Sequence, residues 1–347
     1  MQKMKIDLDS FIHYSKAIAI FFVLLAHCCI WNGDSQIGKY LSLFLRNLGT
    51  MGVAIFFVVS GFLFDYSKSR KCKFLDFSLK KIKRICIPWF FSAVCFFAYM
   101  YSRHNTDALV LLQNILGIHS FYWYLAITME LYFIYYFIYK CKSTYKIVVF
   151  MGILSLYYPV ISFFNDNALV DFPLNPIRWF YFFSIGICGS YLYQNKKDFN
   201  FYSFFTYAII GLFALSLIFL CKKNITLVYK SFLYIPIATL GIISIMTIVH
   251  RLARSPKKSF IKVGKYSFGI YLYQMFPWTG LLVAVANRLD LPILILFNPF
   301  ICLIICVLEL DFFLYIFNKI KKDHYANYVL GIPFSGEKGL KKNAIPT

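Results

Sequence analysis

The stretch Tyr14–Trp31, YSKAIAIFFVLLAHCCIW, decides how this chain folds. It is an apolar run with one cation, Lys16, near one end and one imidazole, His27, towards the other. On an α-helix eleven residues place them roughly 16 Å apart along the axis and about 20° apart around it, so they share a face. Charged and titratable side chains are costly in lipid, and a membrane helix that keeps two in line turns that face to a protein interior or a wet cavity. The helix therefore reads as one wall of a reaction site. Cys28 and Cys29, beside the imidazole, read as small apolar fillers rather than thiol chemistry.

Composition identifies the solvent. A 347-residue chain with 60% hydrophobic, 21% aromatic and only 15% charged residues is too apolar for a water-soluble core, so lipid must cover the remainder. The net charge of +21 does not point to nucleic acid, because the Lys and Arg residues cluster between apolar runs. That distribution is topology signalling. Ten cysteines without a CxxC pair indicate neither zinc nor a disulfide framework, and His104 with His119 is too small a set to hold a metal. The amino terminus lacks a cleavable signal pattern.

A span takes about 20 apolar residues. That ruler predicts ten, at 14–31, 48–66, 85–101, 121–139, 146–164, 177–194, 202–221, 231–249, 266–286 and 292–317. With the amino terminus in the cytoplasm, 28 of the 36 Lys and Arg residues fall inside and eight outside. Such a bias favours an even number of spans with both ends inside. The expected fold is all-α: a polytopic membrane protein of about ten transmembrane helices with both termini cytoplasmic. A single transmembrane domain covers 1–320, followed by a cytoplasmic tail at 321–347, and there is no internal repeat.

The second span carries Ser60 and Gly61, small residues that let two helices approach closely. The loop after it, DYSKSRKCKFLDFSLKKIKRICIPW, is the most basic stretch of the chain. As a positive-inside anchor it would touch anionic headgroups. Lys80, Lys81 and Arg84, entering the third span before Pro88, also suit a phosphorylated cytosolic donor, because residues three or four apart share a helix face. Glu130, near the middle of the fourth span, is expensive there unless paired or wet; it either orients His27 or Lys16 or ties two helices together. Glu309 and Asp311, late in the last span, read as interhelical pairing.

Several segments, taken in order, carry a resemblance. They are Lys16 to His27, FFVVSGFL at 56–63, KKIKRICIPW at 80–89, WYLAITMELYFIYY from Trp123, RWFYFFSIGI from Arg178 and YSFGIYLYQ from Tyr266. Over roughly residues 9–317 the chain resembles the bacterial acyltransferase-3 family of integral-membrane O-acyltransferases. The resemblance implies about ten helices around a buried site, a cytoplasmic acyl-CoA donor, and transfer to a hydroxyl of a surface polysaccharide or its lipid-linked precursor. The family's essential histidine maps onto His27, and its basic residues map onto Lys16 and Arg84. An Asp often found three residues before the first basic residue is His13 here, so a carboxylate partner for Lys16 must come from elsewhere. Gln274 stands where many relatives carry His, which removes a second histidine base.

The chemistry follows from the residues as well. Acyl transfer from a thioester to an alcohol needs a base for the hydroxyl proton, a donor for the developing oxyanion and a clamp for the CoA phosphates. His27 suits the base, since an imidazole titrates near neutrality. Lys16, Ser60 or a backbone N–H are the candidates for the oxyanion. Arg84, Lys80 and Lys81, with Ser60 nearby, are the acyl-CoA-binding candidates. Arg178 and Trp179, at the outer mouth of the sixth span, are candidates to bind the acceptor sugar. The expectation is a bacterial inner-membrane O-acyltransferase using acetyl-CoA as donor substrate, with no bound cofactor or metal. Its partners are acyl-CoA, a glycan or lipid-linked glycan and membrane lipids, with no nucleic acid. The rival from another class is an exporter of a glycan without acyl-transfer chemistry. A lipid-linked glycan polymerase is a further alternative, but the outer loops are short for one.

Overall fold

The computed structural model describes residues 7–67, 72–104, 107–117, 120, 122–141, 143–157, 177–195, 203–227, 233–275, 277–320 and 323–332. Within them all regular structure is helical. His119 and the segment 158–176 lie outside the described residues.

Helix α1 (Leu8–Cys28) starts where Asp7 caps it: the carboxylate accepts the Ser10 backbone N–H at 3.1 Å and the Ser10 hydroxyl at 2.7 Å. Side-chain oxygens at this position satisfy N–H groups that the first turn leaves without partners. The Ser10 hydroxyl is also the main reason the Asp7 carboxyl is held below its ordinary range. Helix α2 (Gln36–Gly49), capped by Ser35, runs almost directly into α3 (Met51–Tyr66). The sequence reading starts this span at residue 48. The chain is already helical twelve residues earlier, because α2 has an apolar side that packs on α1.

The register of that packing is explicit. Ser42 Oγ donates to the Cys29 carbonyl at 2.5 Å and accepts from Trp31 N–H at 3.2 Å. A Cβ on Gly49 would strike the Ala26 backbone, and one on Gly52 the Ala19 carbonyl. α2 and α3 therefore run antiparallel to α1, and the last turns of α2 sit level with His27.

Helix α4 (Phe74–Lys81) passes through a wide π turn (Ile82–Cys86) into α5 (Ile87–His104). There follow α6 (Ala108–Leu116), α7 (Trp123–Ile138), α8 (Thr144–Leu154), α9 (Ile177–Gln194), α10 (Ser203–Lys222), α11 (Tyr234–Leu252), α12 (Lys258–Tyr273), α13 (Trp278–Arg288), α14 (Leu294–Lys319) and α15 (Asp323–Leu330). Among the described residues, five helical segments are long and apolar enough to cross a membrane: Leu8–Cys28, Gln36–Tyr66, Phe74–Ser102, Tyr234–Leu252 and Leu294–Lys319. The pair α12 and α13 makes a sixth if it is one broken span. Trp123–Ile138, Thr144–Leu154 and Tyr207–Lys222 are apolar but shorter.

The stretch 266–286, expected as one span, is instead bent by 78° between α12 and α13. Pro277 supplies the reason: without an N–H it cannot continue α12, and it restricts the residue before it. The Thr279 hydroxyl donates to the Gln274 carbonyl at 2.7 Å, satisfying one backbone group that the break exposes. The helical body also continues past residue 320. α15 docks back, with the Tyr273 hydroxyl donating to the Val329 carbonyl at 2.7 Å.

Backbones meet where glycine permits. At the α3–α9 crossing Gly61 lies against the Phe183 carbonyl and Gly186 against the Val58 carbonyl; at the α1–α12 contact Gly264 lies against the His13 carbonyl. Asp311 pairs between helices, as expected, with Lys262 Nζ at 2.5 Å and the Tyr266 hydroxyl at 2.8 Å.

Asp65, which the sequence reading passes over, is fully buried at the end of α3. Its carboxylate accepts from the Tyr139 hydroxyl (2.5 Å), Gln194 Nε2 (2.9 Å) and the Tyr145 hydroxyl (3.4 Å). This ties α3 to α8, α9 and the end of α7. Asp65→Ala would leave three donors without that acceptor and is expected to cost about 2 kcal/mol, read as a lowered unfolding temperature in detergent.

Candidate active site

The face of α1 that carries Lys16 and His27 is longer than the sequence reading made it. Asp9 Oδ1 lies 3.6 Å from His13 Nε2, one turn away, and its charge also acts on Lys16. Asp9, in the first turn of the same helix, is thus a carboxylate whose charge acts on Lys16, while its close contact is to His13.

Two further cations reach Lys16 from the neighbouring segment. Lys16, Lys81 and Arg84 all act on one another electrostatically. This convergence depends on the π turn. Pro88 cannot donate to the carbonyl of Arg84, and its ring would crowd that carbonyl in an α-helix. The chain widens upstream instead, with Ile87 N–H bonding to the Ile82 carbonyl five residues back. The wide turn carries Lys83 and Arg84 and alters their phase relative to α4.

Lys81 turns inward. Its Nζ sits 3.4 Å from the centroid of the Tyr132 ring and 5.6 Å from that of Phe77, a cation–π arrangement. Lys80 is exposed, with Cys72 Sγ 3.9 Å from its Nζ. Of the two lysines proposed from sequence, Lys81 belongs to the cationic group and Lys80 lies on the surface. Arg84 is exposed, at the rim of the group.

Ser60, half-buried, lies 3.5 Å from the Tyr124 hydroxyl, with the Tyr132 side chain close by. Because Tyr132 is also the ring under Lys81, Ser60 and the cations line one continuous wall.

At the other end of this face His27 is half-buried. Arg46 on α2 acts on it electrostatically. Cys28 and Cys29 are fully buried: Cys28 Sγ is 3.7 Å from Thr279 Oγ1, and Cys29 Sγ is 3.2 Å from the Ile295 carbonyl. Thr279 Oγ1 in turn lies 3.8 Å from Cys302 Sγ. Gln274, at the α12–α13 break, is buried with its Oε1 unpartnered among the described residues.

Other candidates lie apart. Glu130 is half-buried and makes no hydrogen bond or ion pair among the described residues, to His27 and Lys16 included. It lies on the less buried side of α7, with Phe133 and Phe137, while Tyr124 and Tyr132 face the site. Trp179 is 2% exposed, its ring against Phe57 (4.7 Å between centroids), Trp123 (5.2 Å) and Tyr234 (5.9 Å). Buried in this way it packs the core and presents no open ring face at a mouth. Arg178 beside it is half-buried.

The sequence reading missed Asp9 and Arg46. Asp9 stands i, i+4 from His13 and i, i+7 from Lys16, a helical spacing that signals a shared face. Arg46 left no local signal; it reads as one of the eight outer charges until α2 is seen to pack on α1.

The arrangement is a basic, aromatic-lined wall at one end of α1 and an imidazole at the other, on a helix that crosses the membrane. Neither a curated protein nor a solved structure matches the chain. A family model described as an acyltransferase domain, that of acyltransferase 3, matches residues 9–310. That match spans most of the chain and includes every helix that lines the wall, and the protein accordingly belongs to the acyltransferase-3 family of membrane acyltransferases.

Proposed function

We propose that the protein transfers an acyl group, acetyl in the first instance, from cytosolic acyl-CoA to a hydroxyl of a surface glycan or its lipid-linked precursor. The observation that carries this reading is the single α1 face on which Lys16, joined by Lys81 and Arg84, stands about half a helix length from His27. The three cations are the clamp for the CoA phosphates, since guanidinium and ammonium groups both pair strongly with phosphate. The pantetheine arm then runs along α1 towards His27.

His27 takes the proton from the acceptor hydroxyl as its oxygen attacks the thioester carbonyl. The tetrahedral intermediate collapses with cleavage of the C–S bond, and the departing CoA thiolate recovers the proton from His27. The products are an ester and free CoA, with no oxidant or metal required. In this reading the Lys16 end of α1 faces the cytosol, and the chain makes about ten spans of the bacterial inner membrane with both termini in the cytoplasm. The Lys and Arg distribution supports that orientation.

The test is a kinetic comparison of purified variants with radiolabelled acetyl-CoA. Lys81→Ala and Arg84→Ala are each expected to raise the KM for acetyl-CoA about tenfold or more with a smaller change in kcat. Lys80→Ala, on the exposed side, is expected to change KM less than twofold. An Arg84→Ala enzyme with unchanged KM for acetyl-CoA would count against the clamp.

A further inference from the structure

Arg46 has no part in the clamp or in proton transfer, yet it stands beside the imidazole. Two independent contacts fix its level: Ser42, one turn before it, bonds to the Cys29 carbonyl, and Gly49, three residues after it, packs against the Ala26 backbone. Arg46 therefore lies between them, opposite His27, and the two side chains act on each other electrostatically. Arg46 is half-buried, and its side chain has no hydrogen bond or ion pair among the described residues.

A permanent charge in an apolar helix bundle is costly without a counter-ion. The cations at the other end of α1 have Asp9 close by and a proposed phosphate to hold, whereas no carboxylate among the described residues pairs with Arg46. A ligand anion would offset that cost. The planar fork of five N–H donors suits carboxylate or phosphate oxygens. The donor's phosphates belong about 16 Å away along α1, so an anion bound here belongs to the second substrate.

We infer that Arg46 binds an anionic group of the acceptor, a carboxylate or a phosphate on or next to the sugar whose hydroxyl is presented to His27. This deepens the reading of the protein as a glycan O-acyltransferase and rests on it: the acceptor is an acidic saccharide or a sugar phosphate, not a neutral glycan. Arg46 anchors the anion and thereby holds the neighbouring hydroxyl at the imidazole.

The test uses the full chain in lipid nanodiscs and three tetrasaccharides identical except for the terminal residue: glucose, glucuronate or glucose 6-phosphate. Binding is measured without donor. The wild type is expected to bind at least one acidic form about tenfold or more tightly than the neutral form, with preference for glucuronate or for the phosphate identifying the source of the anion. Arg46→Gln should remove that preference and Arg46→Lys retain part of it, with the Lys variant serving if the Gln variant does not accumulate. Equal binding of all three sugars by the wild type, or a preference that survives in Arg46→Gln, would overturn the proposal. So would an equal loss of kcat by Arg46→Gln on neutral and acidic acceptors, which would make Arg46 an oxyanion donor instead. Acetyl transfer is scored separately, so an anion preference without transfer would sink the reaction and leave the anion site standing.

Discussion

His27→Ala is expected to lower acyl transfer by about 10²- to 10⁴-fold, the range that a positioned general base contributes. The variant should accumulate in the membrane like the wild type, because His27 is half-buried and is not among the fully buried core residues. Donor binding should also survive, since Lys16, Lys81 and Arg84 lie at the opposite end of α1. The pattern to look for is thus a lost kcat with acetyl-CoA affinity kept, measured by turnover and by equilibrium binding on the same preparation. Cys28, Cys29 and Cys302 near the imidazole are fully buried. They offer a substrate no approach without rearrangement, so Cys302→Ser is not expected to mimic His27→Ala. Normal glycan acetylation by cells carrying only His27→Ala would end the assignment.

A comparably large effect, of a different kind, is expected at Gly186. A Cβ there would overlap the Val58 carbonyl, while one at Gly61, across the same crossing, would overlap the Phe183 carbonyl. These obstacles are backbone atoms of packed helices, and neither can swing aside as a flexible side chain would. Gly186→Ala should force α3 and α9 apart, costing on the order of 1–3 kcal/mol or more, as overpacking of a core does. The consequence extends to the site. The Gly61 contact sets the roll of α3, and that roll aims Ser60 at the Tyr124 hydroxyl. Abundance and melting of the purified protein should both fall. Gly211→Ala and Gly280→Ala are the matched controls, because nothing lies within 4 Å of either Cβ and alanine favours a helix. If Gly186→Ala melts with the wild type, the close crossing is wrong.

The parts of the site legible in the sequence are those carried by one helix. Lys16 and His27 share a face because eleven residues are close to three helical turns, and no partner is needed to see it. Gly61 signals a close approach by its size, and Asp311 a partner by its cost in lipid. Where two elements had to be related, the reading erred or stayed open. Lys80 and Lys81 were equivalent until the Tyr132 ring took one of them. Trp179 looked interfacial until four other aromatic rings enclosed it. Glu130 stays open between orienting His27 or Lys16 and tying two helices together, and it lies on the less buried side of α7.

From the sequence alone came the apolar helical character, the cation and imidazole aligned on α1, and the motif order that the acyltransferase-3 family shares. Each is a matter of composition or of periodicity within one segment, which helix geometry converts directly into position. Only the tertiary structure decided that Lys81 and Arg84 join Lys16, that Asp9 attends them, and that Arg46 stands opposite His27. Those pairings depend on how far Pro88 widens the turn before α5 and on how closely glycine lets α2 and α3 approach α1. Both set the roll and level of one helix against another, a relation that no spacing along a single helix contains.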